Sequence, residues 1–313
     1  MKQTNTITEG AMTTGLFAVL LLIALYMPFI GLLAIWFLPL PFIVFVLRNQ
    51  IRFAFYIWGA SLLVGLLIGS IPGLLLACIF VSGGLVVGEL YRRRRSAFGV
   101  LLGGSLAYTA GVIVTFILSI VLLDSNILSN GLDMMKQAIE RTEQVTASLG
   151  EDTAKLEAMS QTLDQFRYLA PSFLVFLGVA YALITQLIAA PILKRLRLGK
   201  YVESWVPFRE WRLPRSFLWY YLAILLIGFF QSFTTGSPWF IVYYNLIVIL
   251  EIAMLVQGFS FLFFIMHWKK VKRWISIAVM AVVLIFWVFL MPFVRILGVL
   301  DLGFDLRERL RSS

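Results

Sequence analysis

One cysteine, Cys78, and one histidine, His267, are all that 313 residues offer of the two side chains that most often hold metals or act in catalysis. A disulfide framework is therefore excluded, and so is a zinc site of the usual His/Cys type within one chain. No Ser-His-Asp or Cys-His arrangement stands out, and no Gly-x-x-x-x-Gly-Lys-Ser/Thr phosphate loop occurs, so ATP hydrolysis through that motif is excluded too. Charge is scarce: 13% of residues are Asp, Glu, Lys or Arg, against roughly 25% in an ordinary globular domain. Apolar residues fill the gap, at 61% of the chain, with a mean hydropathy of +0.93. The net charge of +10 is unevenly spread, because residues 124–167 hold eight acids and four bases and leave +14 for the rest. An anionic inner membrane leaflet explains that excess, and nucleic acid is not needed as a partner.

Nine apolar runs are long enough to cross a bilayer, roughly 11–28, 31–47, 53–70, 73–90, 98–123, 169–193, 217–233, 239–266 and 274–294. A spanning helix needs about 20 mostly apolar residues, since hydrocarbon satisfies no backbone group left outside a helix. The first two runs are short and nearly continuous through Met27-Pro28-Phe29-Ile30-Gly31, and read equally as one kinked hairpin. Lys and Arg concentrate in the connections after runs two, four, six and eight; the others lack them, except 124–168. A single parity fits every loop: N-terminus and basic loops cytoplasmic, 124–168 extracellular. The tail breaks the pattern, because nine crossings put Arg307, Arg309 and Arg311 outside. A re-entrant last segment is the alternative. No cleavable signal peptide is expected, since the first run lacks a small-residue cleavage site and another run follows at once.

The fold class that follows is all-α, a polytopic helical membrane bundle of about nine transmembrane helices with one extracellular helical hairpin. Its regions are a five-span part, 1–123, the amphipathic hairpin, 124–168, and a four-span part, 169–313. Within the hairpin Leu128, Leu132, Met135, Ile139 and Leu149 recur at helical spacing, as do Leu156, Met159, Leu163 and Phe166. Gly150 separates the two runs and Asp152 caps the second. The segment reads as a small cap over the bundle, or as a lid.

Glu251 is the first candidate for a ligand-binding or proton-coupling role, because a carboxylate at mid-span is costly unless it is paired or neutral. The plainer alternative is a protonated Glu in an interhelical hydrogen bond. Asn245 and Gln257 fall about 120° to either side of it, while Tyr244 shares its face. The run 98–123 carries a polar stripe of Ser105, Tyr108, Thr109, Thr115 and Ser119 that must turn inward. Ser105, Tyr108 and Thr109 are candidates for lining a ligand pocket; gluing helices together is the commoner use of such hydroxyls.

Small residues form three stripes: Gly73, Ala77, Gly84 and Gly88; Ser61, Gly65 and Gly69; and Ala11, Gly15 and Ala18. Such spacing lets helix backbones approach closely, inside the bundle or, for the first span, against a second chain. Arg92, Arg93, Arg94 and Arg95 are candidates for lipid headgroups or topology determinants. Trp205 and Trp211, in the loop Trp205-Val206-Pro207-Phe208-Arg209-Glu210-Trp211-Arg212-Leu213-Pro214, are candidates for the headgroup level of the inner leaflet.

Several of these segments give the chain a family likeness. The opening Gly10-Ala11-Met12-Thr13-Thr14-Gly15 is one, and the Arg-rich turn running into Ser96-Ala97-Phe98-Gly99 is another. Trp211-Arg212-Leu213-Pro214, Gln257-Gly258 and the ending Leu297-Gly298-Val299-Leu300-Asp301-Leu302-Gly303-Phe304-Asp305-Leu306-Arg307 complete the set. Over nearly its whole length the chain resembles the YybS-like bacterial membrane family, and none of these motifs is a catalytic signature. That family is distantly similar to the S components of energy-coupling-factor vitamin transporters. The likeness implies six spans, an outward small-molecule pocket and a first helix that docks a membrane partner through Ala-x-x-x-Ala. Ala11-x-x-x-Gly15 matches that pattern in part, and three extra spans and the insertion 124–168 depart from it.

The expectation is a non-enzymatic, cofactor-free multi-pass protein of the bacterial cytoplasmic membrane, S-component-like, that binds or moves a small solute with partner subunits. The alternative is a membrane scaffold or regulatory subunit that recruits proteins or anionic lipid through its basic cytoplasmic loops. An enzyme acting on lipid is a distant third. An outward cavity between the N-terminal spans favours the first; a packed bundle with one exposed apolar groove favours the second.

Overall fold

The computed structural model describes residues 2–49, 51–123, 127–148, 166–203 and 205–312, together with Met159 and Leu163. Among these residues the regular elements are all helical, and they divide into two compact units, Met1–Trp205 and Val206–Ser313. The sequence-based division at 124–168 follows hydropathy; the division by packing falls after the sixth apolar run.

In the first unit α1 (Lys2–Tyr26) and the second run form an antiparallel hairpin. Pro28 ends the helix because it offers no N–H, and Phe29 reverses the chain with a positive φ of 62°. Further along, Phe17 packs on Phe42 at 5.2 Å between ring centroids, and Asn49 donates to the Glu9 carboxylate. Proline also splits the second run into α2 (Ile30–Ala34), a 3-10 turn at Ile35–Phe37 and α3 (Leu40–Arg48), which restarts after Pro39.

The third and fourth runs form α4 (Ile51–Arg92), which is a second hairpin in itself. Ser70 is non-helical (φ 51°, ψ −141°), and the arms 51–69 and 71–92 fold back on each other, with Trp58 Nε1 donating to Ser82 Oγ at 2.9 Å. Glycine is required at this turn, because a Cβ on Gly73 would collide with the Gly65 carbonyl. α5 (Ala97–Leu123) packs antiparallel between the second arm of α4 and α7 (Ala170–Arg195). α6 (Ile127–Ser148) is the first helix of the segment read as a hairpin; Ile139 is buried, and Asp133 pairs with Arg167 at 2.6 Å. Leu149, Gly150, Asp152 and Leu156 lie outside the described residues, so of the hairpin's second helix only Met159, Leu163 and Phe166 are described, each helical and Leu163 buried.

The second unit comprises α8 (Ser216–Phe230), α9 (Pro238–Trp268), α10 (Arg273–Ile285), α11 (Trp287–Phe304) and α12 (Leu306–Ser312). α8 runs antiparallel to α9 over a core of Leu218, Tyr221, Ile224, Ile247, Leu250 and Met254. α11 runs parallel to α9: Glu251 meets Arg295, Gln257 meets Asp301, and Ser260 meets Arg307. Their backbones touch, since a Cβ on Gly258 would strike the Val294 carbonyl and one on Gly298 the Met254 carbonyl.

All nine apolar runs are helical over most of their length. Among the described residues six helical segments have the length and composition to cross a membrane: Thr6–Tyr26, Ile30–Arg48, Ile51–Arg92, Ala97–Leu123, Arg167–Arg195 and Pro238–Trp268. The third of these is the hairpin α4, which accounts for two runs. α8 has 15 residues, below the roughly 20 of a perpendicular crossing. The run 274–294, read as one crossing, breaks at Phe286 (ψ 34°). Beyond the break Arg295, Asp301 and Arg307 reach partners on α9, which they do only if α11 runs parallel to it. The tail therefore lies at the same end of the unit as the loop 206–215.

Candidate functional sites

The three small-residue stripes have different fates. Gly65 meets Gly73 and Ala77 within α4, Gly69 meets Leu25, and Gly84 and Gly88 lie against Pro39 and Ile43. These stripes are used inside the bundle. The first-span stripe stays open: Ala11, Gly15 and Ala18 line an apolar groove of about 840 Å³ between α1 and the first arm of α4, whose wall includes Tyr56, Ile57 and Ala60. A Cβ on Gly15 would meet nothing within 4 Å.

The stripe of α5 turns inward, as hydroxyls in lipid must. Tyr108 is fully buried, shares a 2.8 Å hydrogen bond with Thr185, and packs against Phe80 and Tyr181. Thr109 lies against Gly178, so closely that a Cβ there would overlap it. Thr115 Oγ1 donates to the Leu75 carbonyl at 3.2 Å and Ser119 Oγ to that of Phe116 at 2.8 Å. Ser105 is buried and its hydroxyl has no hydrogen-bond partner among the described residues. Tyr108, Thr109 and Thr115 join α5 to α4 and α7, while the Ser119 hydroxyl bonds within its own helix.

On α9 the three polar residues do face three ways. Asn245 donates to the Ile241 carbonyl at 2.7 Å, Gln257 points to the C-terminal segment, and Glu251 forms an ion pair with Arg295. About a third of the Glu251 side chain, and a little less of Arg295, is exposed. Tyr244 stacks on Phe240 at 5.4 Å between centroids. Sequence reasoning missed Arg295, which lies one residue beyond the end read for the ninth run. The signal was the pairing rule itself, that a charge at mid-span demands an opposite one nearby.

The C-terminal residues that carry the family resemblance converge on one buried cluster, also missed. Asp301 is fully buried and accepts from Arg307 Nε at 2.9 Å and Nη2 at 2.8 Å, and from the Gln257 amide. Arg307 is 6% exposed; it also donates to the Arg209 carbonyl at 2.9 Å and to Ser260 Oγ at 3.1 Å, and lies over the rings of Phe261 and Phe264. Gln257 Oε1 accepts from Leu213 N at 2.9 Å, while Ser260 Oγ bonds the Phe208 and Trp211 carbonyls at 2.7 Å. Arg212 and Arg215 both pair with Asp305. The loop, α9 and the tail are tied by these hydrogen bonds and ion pairs, which gives this cluster the character of a clamp.

The basic turns share a backbone device. The chain after Arg92, after Arg195 and after Trp268 closes with a 6→1 hydrogen bond (Arg95 N to Leu90 O, Leu198 N to Leu193 O, Val271 N to Met266 O). In each, a cation stands at the left-handed position: Arg94 (φ 49°), Arg197 (φ 59°) and Lys270 (φ 54°). Glycine is the default there, and a cation gains from the helix dipole what it loses in backbone comfort. Arg92 and Arg93 both bind Glu89, with contacts of 2.7 Å. Trp211 is half-buried with Nε1 donating to the Val206 carbonyl at 2.9 Å, and Trp205 is half-buried at the end of the first unit.

Residues 15–302 match the family model described as Predicted membrane protein (DUF2232). The Uncharacterized protein YybS of Bacillus subtilis (strain 168) is 32% identical over 316 residues, which cover 99% of this chain and 100% of that relative. No solved structure matches.

Proposed function

Because the chain belongs to the DUF2232 family of predicted membrane proteins, we propose that it is a non-enzymatic subunit of a membrane assembly, with α1 receiving a transmembrane helix of a partner. The open groove at Ala11, Gly15 and Ala18 carries this reading. Lipid tails are as apolar as leucine, so helices associate in a bilayer through close backbone contact at small residues. The other two stripes use that contact internally; α1 holds its own in reserve. Tyr108 and Thr109, buried or packed between helices, weigh toward the scaffold and away from a pocket on α5.

Gly15→Leu fills the groove without meeting a neighbour, so the purified variant is expected to stay monodisperse with an unchanged melting temperature. A photo-crosslinking side chain at position 18 is expected to give one discrete protein adduct in native membranes, lost in Gly15→Leu. The same probe at Leu106, exposed on α5, should give none. Lipid adducts alone at both positions would overturn the docking reading, and a lower melting temperature for Gly15→Leu would mean that the stripe packs internally.

The orientation we propose keeps the N-terminus, the basic loops and the C-terminal tail in the cytoplasm of a bacterial cell, with 124–168 outside. In a background without Cys78, a cysteine at position 145 should react with an impermeant thiol reagent in intact cells, and cysteines at 200 and 309 should not. Inverse labelling would reject the orientation, and labelling at 309 alone would reject the re-entrant segment.

A second reading, an S-component-like protein that binds a small solute, is favoured by one observation, the partly exposed Glu251–Arg295 pair at mid-span. Metabolites that raise the melting temperature of the wild type and not of Glu251→Gln would support it.

A further inference from the structure

A second groove differs from the first in chemistry. It lies between the arms of α4 at their Arg-rich end, encloses about 420 Å³, and runs over Phe55, Trp58, Val86 and Leu90 to Arg93 and Arg95. Phe55 and Trp58 stack at 5.9 Å between centroids, and the Trp58 N–H is already satisfied by Ser82, so the floor is apolar. Glu89 is the carboxylate in its wall; it engages Arg92 and spends only the Nε of Arg93. Arg94 and Arg95 have no carboxylate partner among the described residues, and Arg52 is exposed in the first turn of the opposite arm. Five arginines stand against one glutamate at this end of the hairpin.

We propose that this groove is a specific site for an anionic diacyl phospholipid, with one acyl chain along Leu90, Val86 and Trp58 and the phosphate on Arg93 and Arg95. A volume of about 420 Å³ lies within the roughly 300–1,000 Å³ of small-molecule sites. Arginine forks match phosphate oxygens in pairs, and clustered cations beside a spanning helix select anionic headgroups. Aromatic rings near the rim lie where headgroup and chain meet. A partner helix fits poorly, because bulky Phe55 and Trp58 replace the small residues that close helix approach needs. Free phosphate has no use for the apolar floor.

The test is native mass spectrometry of the full chain in detergent, with phosphatidylglycerol and phosphatidylcholine of identical acyl chains. Phosphatidylglycerol should be retained at least tenfold better. The double variant Arg93→Gln/Arg95→Gln should lose about that preference. Val86→Trp, which blocks the groove at an exposed position with every arginine intact, should lose it too. Lys269→Gln, a cation elsewhere, should change nothing, and melting temperatures would confirm that each variant is folded. Equal retention of the two lipids, undiminished binding by Val86→Trp, or full stabilisation by inorganic phosphate alone would each overturn the assignment. Should Val86→Trp not fold, the arginine pair decides.

Discussion

Arg307→Ala is expected to destabilise the protein by about 3–5 kcal/mol, the usual cost of removing one member of a buried ion pair. Asp301 has no exposed surface, and without Arg307 its carboxylate would keep only the Gln257 amide. The same change removes the donors to the Arg209 carbonyl and Ser260 Oγ, which loosens the loop 206–215 from α9. Arg307→Lys keeps the charge and loses the planar fork, so an intermediate loss is expected. Thermal unfolding in detergent measures the first effect. Protease access to the tail measures the second. A loss below about 0.5 kcal/mol for Arg307→Ala, the level of an ordinary surface change, would show that the cluster does not hold the tail.

Glu251→Lys is expected to be comparably damaging. Moving a cation to the centre of a spanning helix costs about 2.5–3.5 kcal/mol on insertion scales, and here it would face Arg295. The sequence leaves open whether Glu251 is neutral, in which case Glu251→Gln is harmless, or tightly paired. Glu251 forms an ion pair with Arg295, so Glu251→Gln should remove that contact and also lower the melting temperature, by less than Glu251→Lys. The exchange Glu251→Lys/Arg295→Glu restores opposite charges at the same two positions and should recover much of the loss. Equal defects in the single and exchanged variants would mean that the pair contributes no coupling. An unchanged melting temperature for Glu251→Lys would place the residue in water.

The third and fourth runs show how far hydropathy reaches. Each is legible as a crossing because its side chains alone meet the demand of hydrocarbon, yet their closure into one hairpin rests on Ser70, where two helices meet at a non-helical residue. The small-residue stripes show the limit more sharply. Spacing identifies all three as faces for close approach, and nothing local separates the two that close inside the bundle from the one on α1 that stays open.

Composition and periodicity by themselves determined that this is an all-α, multi-pass membrane protein, because the bilayer acts on each segment independently of the rest of the fold. They also located Glu251 as a group in need of a partner, since the cost of a buried charge is a property of one residue and its depth. Which partner answers it was decided only in three dimensions. Arg295 reaches Glu251, and Arg307 reaches Asp301 beside Gln257, because the helix breaks at Phe286 and α11 lies parallel to α9. Hydropathy gives a helix no direction relative to its neighbours; pairing charges that a low-dielectric interior will not leave alone does.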